Sequence, residues 1–303
     1  MKRYTAEAYS VLYDQKLGEQ EYEDAIRAKG VKVYRTRSVM AGQVLDLNIC
    51  AVWNARGEAK KAAEAKRKQS AAVMEKHNAK ERARKIGGLI NENFGEGDFA
   101  LYLSFAEEAD VRKALRWYIR ACTNAHKKIG ASFRYLYVLE CADGDGNPVR
   151  PHIHIFVDGE LPRDWYEDIW RNKYGIANGT RLQPDENGLS AFAHYVQKAP
   201  RDVKRVRRWA CSRNLRKPVE RRSTRLPNGK TLTKKLVFDI VGGKKDLRTM
   251  LEESYPGYRF LGMEVRQSEY VSGVYIDIRM SKAKRTSTGR KEARSFEERK
   301  QSR

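Results

Sequence analysis

Two short patterns bring together residue types that do chemistry on phosphate esters. Pro151-His152-Ile153-His154-Ile155-Phe156 carries two imidazoles two residues apart, and Tyr195-Val196-Gln197-Lys198 carries a phenol and an ammonium three apart. On a strand, side chains alternate between faces, so His152 and His154 would share one face about 7 Å apart, close enough to share a divalent cation. On a helix, Tyr195 and Lys198 would share a face. A phenol with a pKa of about 10 becomes a nucleophile only beside a positive charge, which a metal or Lys198 would supply. The metal would also polarise a phosphate and stabilise the charge that develops on it.

A cation needs a third ligand. Glu140 ends the apolar stretch before the histidines, and Cys141 to Arg150 has turn chemistry that would return the chain antiparallel, bringing Glu140 beside His152. Two imidazoles and a carboxylate suit Mg²⁺ or Mn²⁺, among other divalent ions. Asp143 and Asp145 are rival ligands, but with Gly144 and Gly146 they read as a plain turn, not a calcium loop. Each pattern also has a plainer reading. Two polar residues on a half-buried strand make the same H-x-H, and a core tyrosine beside a snorkelling lysine makes the same Y-x-x-K. His194 points about 100° away from Tyr195 on a helix and reads as a surface or core histidine.

The elements that must position these groups are legible in outline. Residues 1–30 read as helical and mixed in charge. Val44 to Val52 alternates as a strand, and Arg56 to Ile86 is a charged helix. Phe99 to Phe105, Phe133 to Glu140 and His152 to Val157 read as strands, with an amphipathic helix over Glu107 to Lys128 and another over Pro162 to Tyr174. A helix ends at Lys198, before Pro200. Asp246 to Ser254 reads as a short helix and Tyr270 to Ile278 as a late strand. The expected class is α+β: a central antiparallel sheet with helices packed on it, a helical N-terminal extension and a basic C-terminal tail. The divisions are 1–95, an N-terminal strand and charged helical region; 96–215, the core; 216–280, an α/β segment completing or flanking it; and 281–303, a disordered tail.

The chain has 303 residues, with 61 Lys and Arg against 39 Asp and Glu, a net charge of +22. Such a surface seeks a polyanion. Between Arg201 and Arg225 stand 11 basic residues against 2 acidic ones. Arg205, Arg207, Arg208, Arg213, Arg216 and Lys217 in this run are candidate nucleic-acid contacts. Trp209 reads as a core residue or as a base-stacking one. No apolar run is long enough for a membrane span, and Met1 to Glu7 does not open a signal peptide. Cys50, Cys122, Cys141 and Cys211 form no C-x-x-C pair and read as free thiols in a reducing bacterial cytoplasm.

Taken together, Leu101-Tyr102-Leu103-Ser104-Phe105, Pro151 to Phe156 and Tyr195 to Lys198, in that order, resemble the three motifs of the HUH endonucleases. Within them the closest likeness is to rolling-circle replication initiators of bacterial plasmids, phages and integrative elements, and Trp209 to Pro218 is similar to a segment of such proteins. The resemblance covers roughly residues 30–280, with only the second and third motifs specific. It implies that His152, His154 and Glu140 hold Mg²⁺ or Mn²⁺. It implies that Tyr195 attacks a phosphate of single-stranded origin DNA, leaving a 5′-phosphotyrosine and a 3′-hydroxyl that primes synthesis, with Lys198 assisting. It also implies a sheet distantly like an RNA-recognition fold. Ala191 stands where two-tyrosine members have their second tyrosine, so a single-tyrosine enzyme is expected, with a homo-oligomer on DNA to complete a round. No Walker motif is present, so a host helicase would open the duplex and a host polymerase would extend the 3′ end. The rivals are a single-tyrosine transposase, a relaxase and a nucleic-acid-binding protein without catalysis. A histidine-triad hydrolase would need a third histidine where Phe156 stands.

Overall fold

The computed structural model describes residues 4–16, 22–142, 148–189 and 208–283. The chain opens with β1 (Tyr4–Thr5), a 3₁₀ helix (Ala6–Leu12), β2 (Gln15–Lys16) and α1 (Tyr22–Arg27). Strands β3 (Val31–Ala41) and β4 (Val44–Trp53) precede helices α2 (Arg56–Lys68) and α3 (Ala71–Asn93). Next come β5 (Phe99–Ser104), α4 (Val111–Lys128), β6 (Tyr135–Ala142), β7 (Pro148–Val157), α5 (Arg163–Arg171) and β8 (Ala177–Arg181). The last elements are β9 (Trp209–Cys211), β10 (Val219–Ser223), α6 (Lys234–Val241), α7 (Leu247–Ser254), β11 (Tyr258–Gln267) and β12 (Val274–Lys282).

These form an α+β fold with two antiparallel sheets, not the single central sheet expected. A five-stranded sheet has the order β8-β5-β7-β6-β9, and a seven-stranded one runs β10-β3-β4-β12-β11-β2 with β1 added beside β4. From β5 to β8 the chain runs β-α-β-β-α-β, and its one direct β-β connection leads from β6 into β7, the strand with both histidines. Of these strands β5 and β7 are neighbours in the middle, β8 is an edge, and β6 lies between β7 and β9. Leu101, Leu103, Leu139, Ile153 and Ile155 on one face of this sheet bury against Leu115, Tyr118 and Cys122 of α4 and Tyr166 and Trp170 of α5.

In the seven-stranded sheet, Leu45, Leu47 and Ile49 lie opposite Met280, Ile278 and Ile276 and form an apolar face shared with α1, α6 and α7. The other face is charged. Arg35 pairs with Glu7, Arg37 and Arg222 with Glu220, and Arg279 with Asp46. This explains why β3, β10 and β11 escaped the sequence reading. Charged residues such as Arg35, Arg37, Glu220, Arg222, Glu264 and Arg266 interrupt these strands, which look like solvated chain until the partner strand or helix supplies the opposite sign. The N-terminal residues also differ from expectation. Among the described residues α1 alone is an α-helix before β3; the leading residues form a 3₁₀ helix and add β1 beside β4 and β2 beside β11. The long charged helix is two: Gln69 leaves the helical conformation and the Ser70 hydroxyl caps α3 through the Val73 N–H.

Helix α3 joins the two sheets. Its Arg84 bonds Asp277 of β12 at 2.7 Å, while Ile86, Leu89 and Ile90 pack with Leu136, Val138 and Phe156 of the five-stranded sheet. Two glycines permit the close approach. Gly42, at φ 58 in the β3–β4 turn, and Gly188, at φ 70, both lie against Asn91, where a Cβ would come within 1.9 Å and 2.2 Å of its oxygens. The Asn91 carboxamide accepts the Leu189 N–H at 2.7 Å and draws Leu189 into the core beneath α3.

Asp277 makes the charged face sensitive to acid. Burial alone would raise its carboxyl, but Arg84 and Arg266 outweigh burial and hold it below the ordinary carboxylate value. A depressed folded-state pKa contributes stability that is present above the unfolded value and lost as pH falls through the folded one. Melting temperature should therefore be steady from pH 7 to about 5 and fall below about pH 4, near the unfolded carboxylate pKa. Asp277→Asn should cost about 3 kcal/mol at pH 7, by removing the carboxylate that balances Arg266 and shares Arg84 with Glu81, and should flatten that acid limb in calorimetry.

Candidate metal centre

The strand alternation expected for His152 and His154 holds, and both imidazoles lie on the sheet face turned away from α4 and α5. Register does the rest. His152 lies opposite Glu140 of β6 and Ser104 of β5, and His154 lies opposite Val138 and Tyr102. Glu140 Oε2 is 3.1 Å from His152 Nε2 and 3.1 Å from His154 Nε2. One ligand atom from each of the three residues lies within 4.8 Å of the others, so the cluster could hold a metal ion. Glu140 is only 7% exposed, which is unusual for a carboxylate without a positive partner.

The donor set fits a cation. His152 Nδ1 donates to the Arg150 carbonyl at 3.2 Å, which leaves the lone pair of the neutral ring on Nε2, the atom that faces Glu140. An acceptor nitrogen facing an acceptor carboxylate is stable only with a proton or a cation between them. Burial, reinforced by the neighbouring His152 ring, pushes the His154 pKa below its ordinary value, against the pull of Glu140. His154 therefore presents a neutral, ligating nitrogen at neutral pH. The aromatic ring of Tyr102 closes the opposite side, its centroid 5.0 Å from that of His152 and 5.6 Å from that of His154.

Tyr195, Lys198, Arg205 and Arg207 lie outside the described residues, as do Asp143 and Asp145. The residues that border the 190–207 stretch are anchored on the face that bears the histidines. Leu189 belongs to the core beneath α3 with Phe156, and Trp209 pairs with Val138. Arg208 accepts the Leu139 N–H at 2.7 Å through its carbonyl. Arg213, Arg216 and Lys217 are exposed beyond β9, although Arg216 also bonds the Glu92 carbonyl and Asn93. Trp209 is half-buried against the same core, with the Lys85 ammonium 5.7 Å from its ring centroid.

Two neighbours of the site were missed from sequence. Arg150 stands two residues before His152 on the same face, exposed, with one N–H tied to the Phe105 carbonyl at 2.9 Å. Tyr102 was read only as part of an apolar strand. The period-two rule applied back from His152 would have found Arg150; Tyr102 needed the β5–β7 register. Cys50, Cys122, Cys141 and Cys211 are all unpaired. Among the described residues no helix is long and apolar enough to cross a membrane. Comparison of the chain with family models, curated proteins and solved structures finds no match.

Proposed function

We propose that this protein nicks single-stranded DNA with a divalent cation and a tyrosine nucleophile, as an initiator of rolling-circle replication. The observation that carries the reading is the Glu140–His152–His154 triangle on the central strands of a sheet whose other face is sealed by two helices. The β-α-β-β-α-β order around it is that of split-βαβ sheets, the arrangement the resemblance implies. Tyr195 follows Leu189 by about six residues, within about 20 Å of extended chain, and Leu189 packs beside Phe156 on the triangle's own face. The net charge of +22 supplies attraction for the strand.

In this reading His152, His154 and Glu140 would hold Mg²⁺ or Mn²⁺, which would supply Lewis-acid polarisation of the scissile phosphate. The Tyr195 oxygen forms a bond to phosphorus, its proton passing to solvent or a nearby base, and the bond from phosphorus to the 3′-oxygen breaks. That oxygen takes up a proton and becomes a free 3′-hydroxyl. The 5′ side stays on Tyr195, and Lys198 balances negative charge on the phosphate. Arg150 offers a second cation beside His152. A second subunit would complete the round, with host helicase and polymerase as partners on duplex origin DNA.

The direct test is a denaturing gel of the protein with labelled single-stranded DNA from its own replicon and Mn²⁺. A covalent band is expected, absent with chelator and absent in Tyr195→Phe. A band that persists in Tyr195→Phe would move the nucleophile elsewhere. No band with any origin fragment, while binding persists, would favour a binding protein without catalysis. For the basic run, replacing Arg213, Arg216 and Lys217 by Ala should weaken binding similarly for all sequences. The slope of log affinity against log salt should fall by about 0.7 for each single-strand phosphate contact removed. An unchanged slope would remove these residues from the interface.

A further inference from the structure

Among the described residues, Tyr102 is the one large aromatic side chain of the open face that stays substantially exposed, at 37%, although it stands on β5 with a strand on either side. The ring lies edge-on to His154 and tilted by 40° to His152, so its inner side is spent on the two imidazoles. Its hydroxyl has no hydrogen-bond partner among the described residues, so the phenol is not there to satisfy a buried polar group. Beyond the ring the face is polar and uncharged. Tyr102 pairs across to Asn178 of β8, which is exposed, and Thr180, two residues on, is exposed as well. On β7 the cationic side chain of this face, Arg150, stands two residues beyond His152 and four from His154, the residue opposite Tyr102. An exposed aromatic ring flanked by neutral hydrogen-bonding groups, with that cation beyond His152, suits a nucleobase better than a phosphate.

We propose that Tyr102 is the stacking platform for the nucleobase next to the phosphate held at the metal centre, with the strand leaving the centre across Asn178 on β8. The inference rests on the nicking reading. Stacking is tolerant of sequence, because every base has a π-face, so Tyr102 fixes the position of the strand and leaves base identity to other groups. Removing such a platform by alanine substitution weakens single-strand binding by about tenfold or more.

The test uses the full chain with fluorescein-labelled oligothymidylate of about twelve nucleotides, read by anisotropy in the presence of Mn²⁺, for Tyr102→Phe, Tyr102→Leu and Tyr102→Ala. Mn²⁺ affinity of each variant is measured separately by calorimetry without DNA. Tyr102→Phe should bind as the parent does, and the Leu and Ala variants about tenfold or more weaker, with Mn²⁺ affinity unchanged within about twofold. Two results would overturn the proposal: Tyr102→Ala binding DNA as tightly as the parent, or Mn²⁺ and DNA affinity falling together, which would make Tyr102 a support for the imidazoles. The outcome is separable from the nicking reading. A parent protein that binds the oligonucleotide but forms no covalent band on any origin DNA would refute nicking and leave the stacking comparison standing.

Discussion

Under the proposed nicking function, His154→Ala protein is expected to lose divalent-cation binding and, with it, cleavage by at least about 1,000-fold. Substitution of groups that merely orient a ligand lowers metal affinity by roughly 10- to 100-fold, and removing a ligand should exceed that. The cation's contribution to phosphate chemistry is several kcal/mol, each 1.36 kcal/mol being about tenfold in rate. Glu140→Gln is the sharper variant, because it keeps the shape between β6 and β7 and removes only the charge that both Nε2 atoms face. It should cost Mn²⁺ affinity at least about 100-fold while the fold persists, measured by calorimetric titration and single-turnover cleavage. Mn²⁺ affinity unchanged in Glu140→Gln would take the carboxylate out of the ligand set. The pH dependence follows from His154. Its lowered pKa keeps the ring neutral below the ordinary histidine range, so its protonation should not compete with the cation between about pH 8 and 6.5.

Asp158→Ala should destabilise the protein by about 3–5 kcal/mol, a large part of the 5–15 kcal/mol typical of a folded domain. Asp158 follows the last residue of β7 and is fully buried, as is His126 of α4. One carboxylate oxygen is 2.7 Å from His126 Nε2 and accepts from the Tyr166 hydroxyl, and the other accepts the Arg134 N–H at 2.6 Å. His126 Nδ1 meanwhile donates to the Cys122 carbonyl at 2.7 Å. Burial, with Asp158 adding to it, raises the Tyr166 pKa and keeps its hydroxyl protonated as a donor. Removing the carboxylate would leave the His126 ring and the Arg134 N–H without their acceptor beside the strand that carries both histidines, while the Tyr166 hydroxyl keeps the Asp158 backbone carbonyl at 3.0 Å. Chemical denaturation should show the loss, and a fall in melting temperature of about 10 °C should accompany it. A change under about 1 kcal/mol would mean that water replaces the carboxylate.

What the sequence settled was local. Two residues of spacing put His152 and His154 on one face, because strand geometry leaves no other choice, and a turn between two apolar runs brought Glu140 back beside them. Asp246 and the apolar pattern after it marked α7 for the same reason, since caps and periodicity act within a few residues. Tertiary structure decided which face of the sheet stays open. The Leu101, Leu103, Ile153 and Ile155 side is covered by α4 and α5, while α3 covers only part of the other. It also placed Tyr102 against both imidazoles, since cross-strand neighbours depend on a register that no short stretch specifies. It turned charged segments into strands as well. Arg35, Arg37, Glu220 and Arg222 look like solvated chain in isolation, and only pairing between distant segments balances their charge within a sheet.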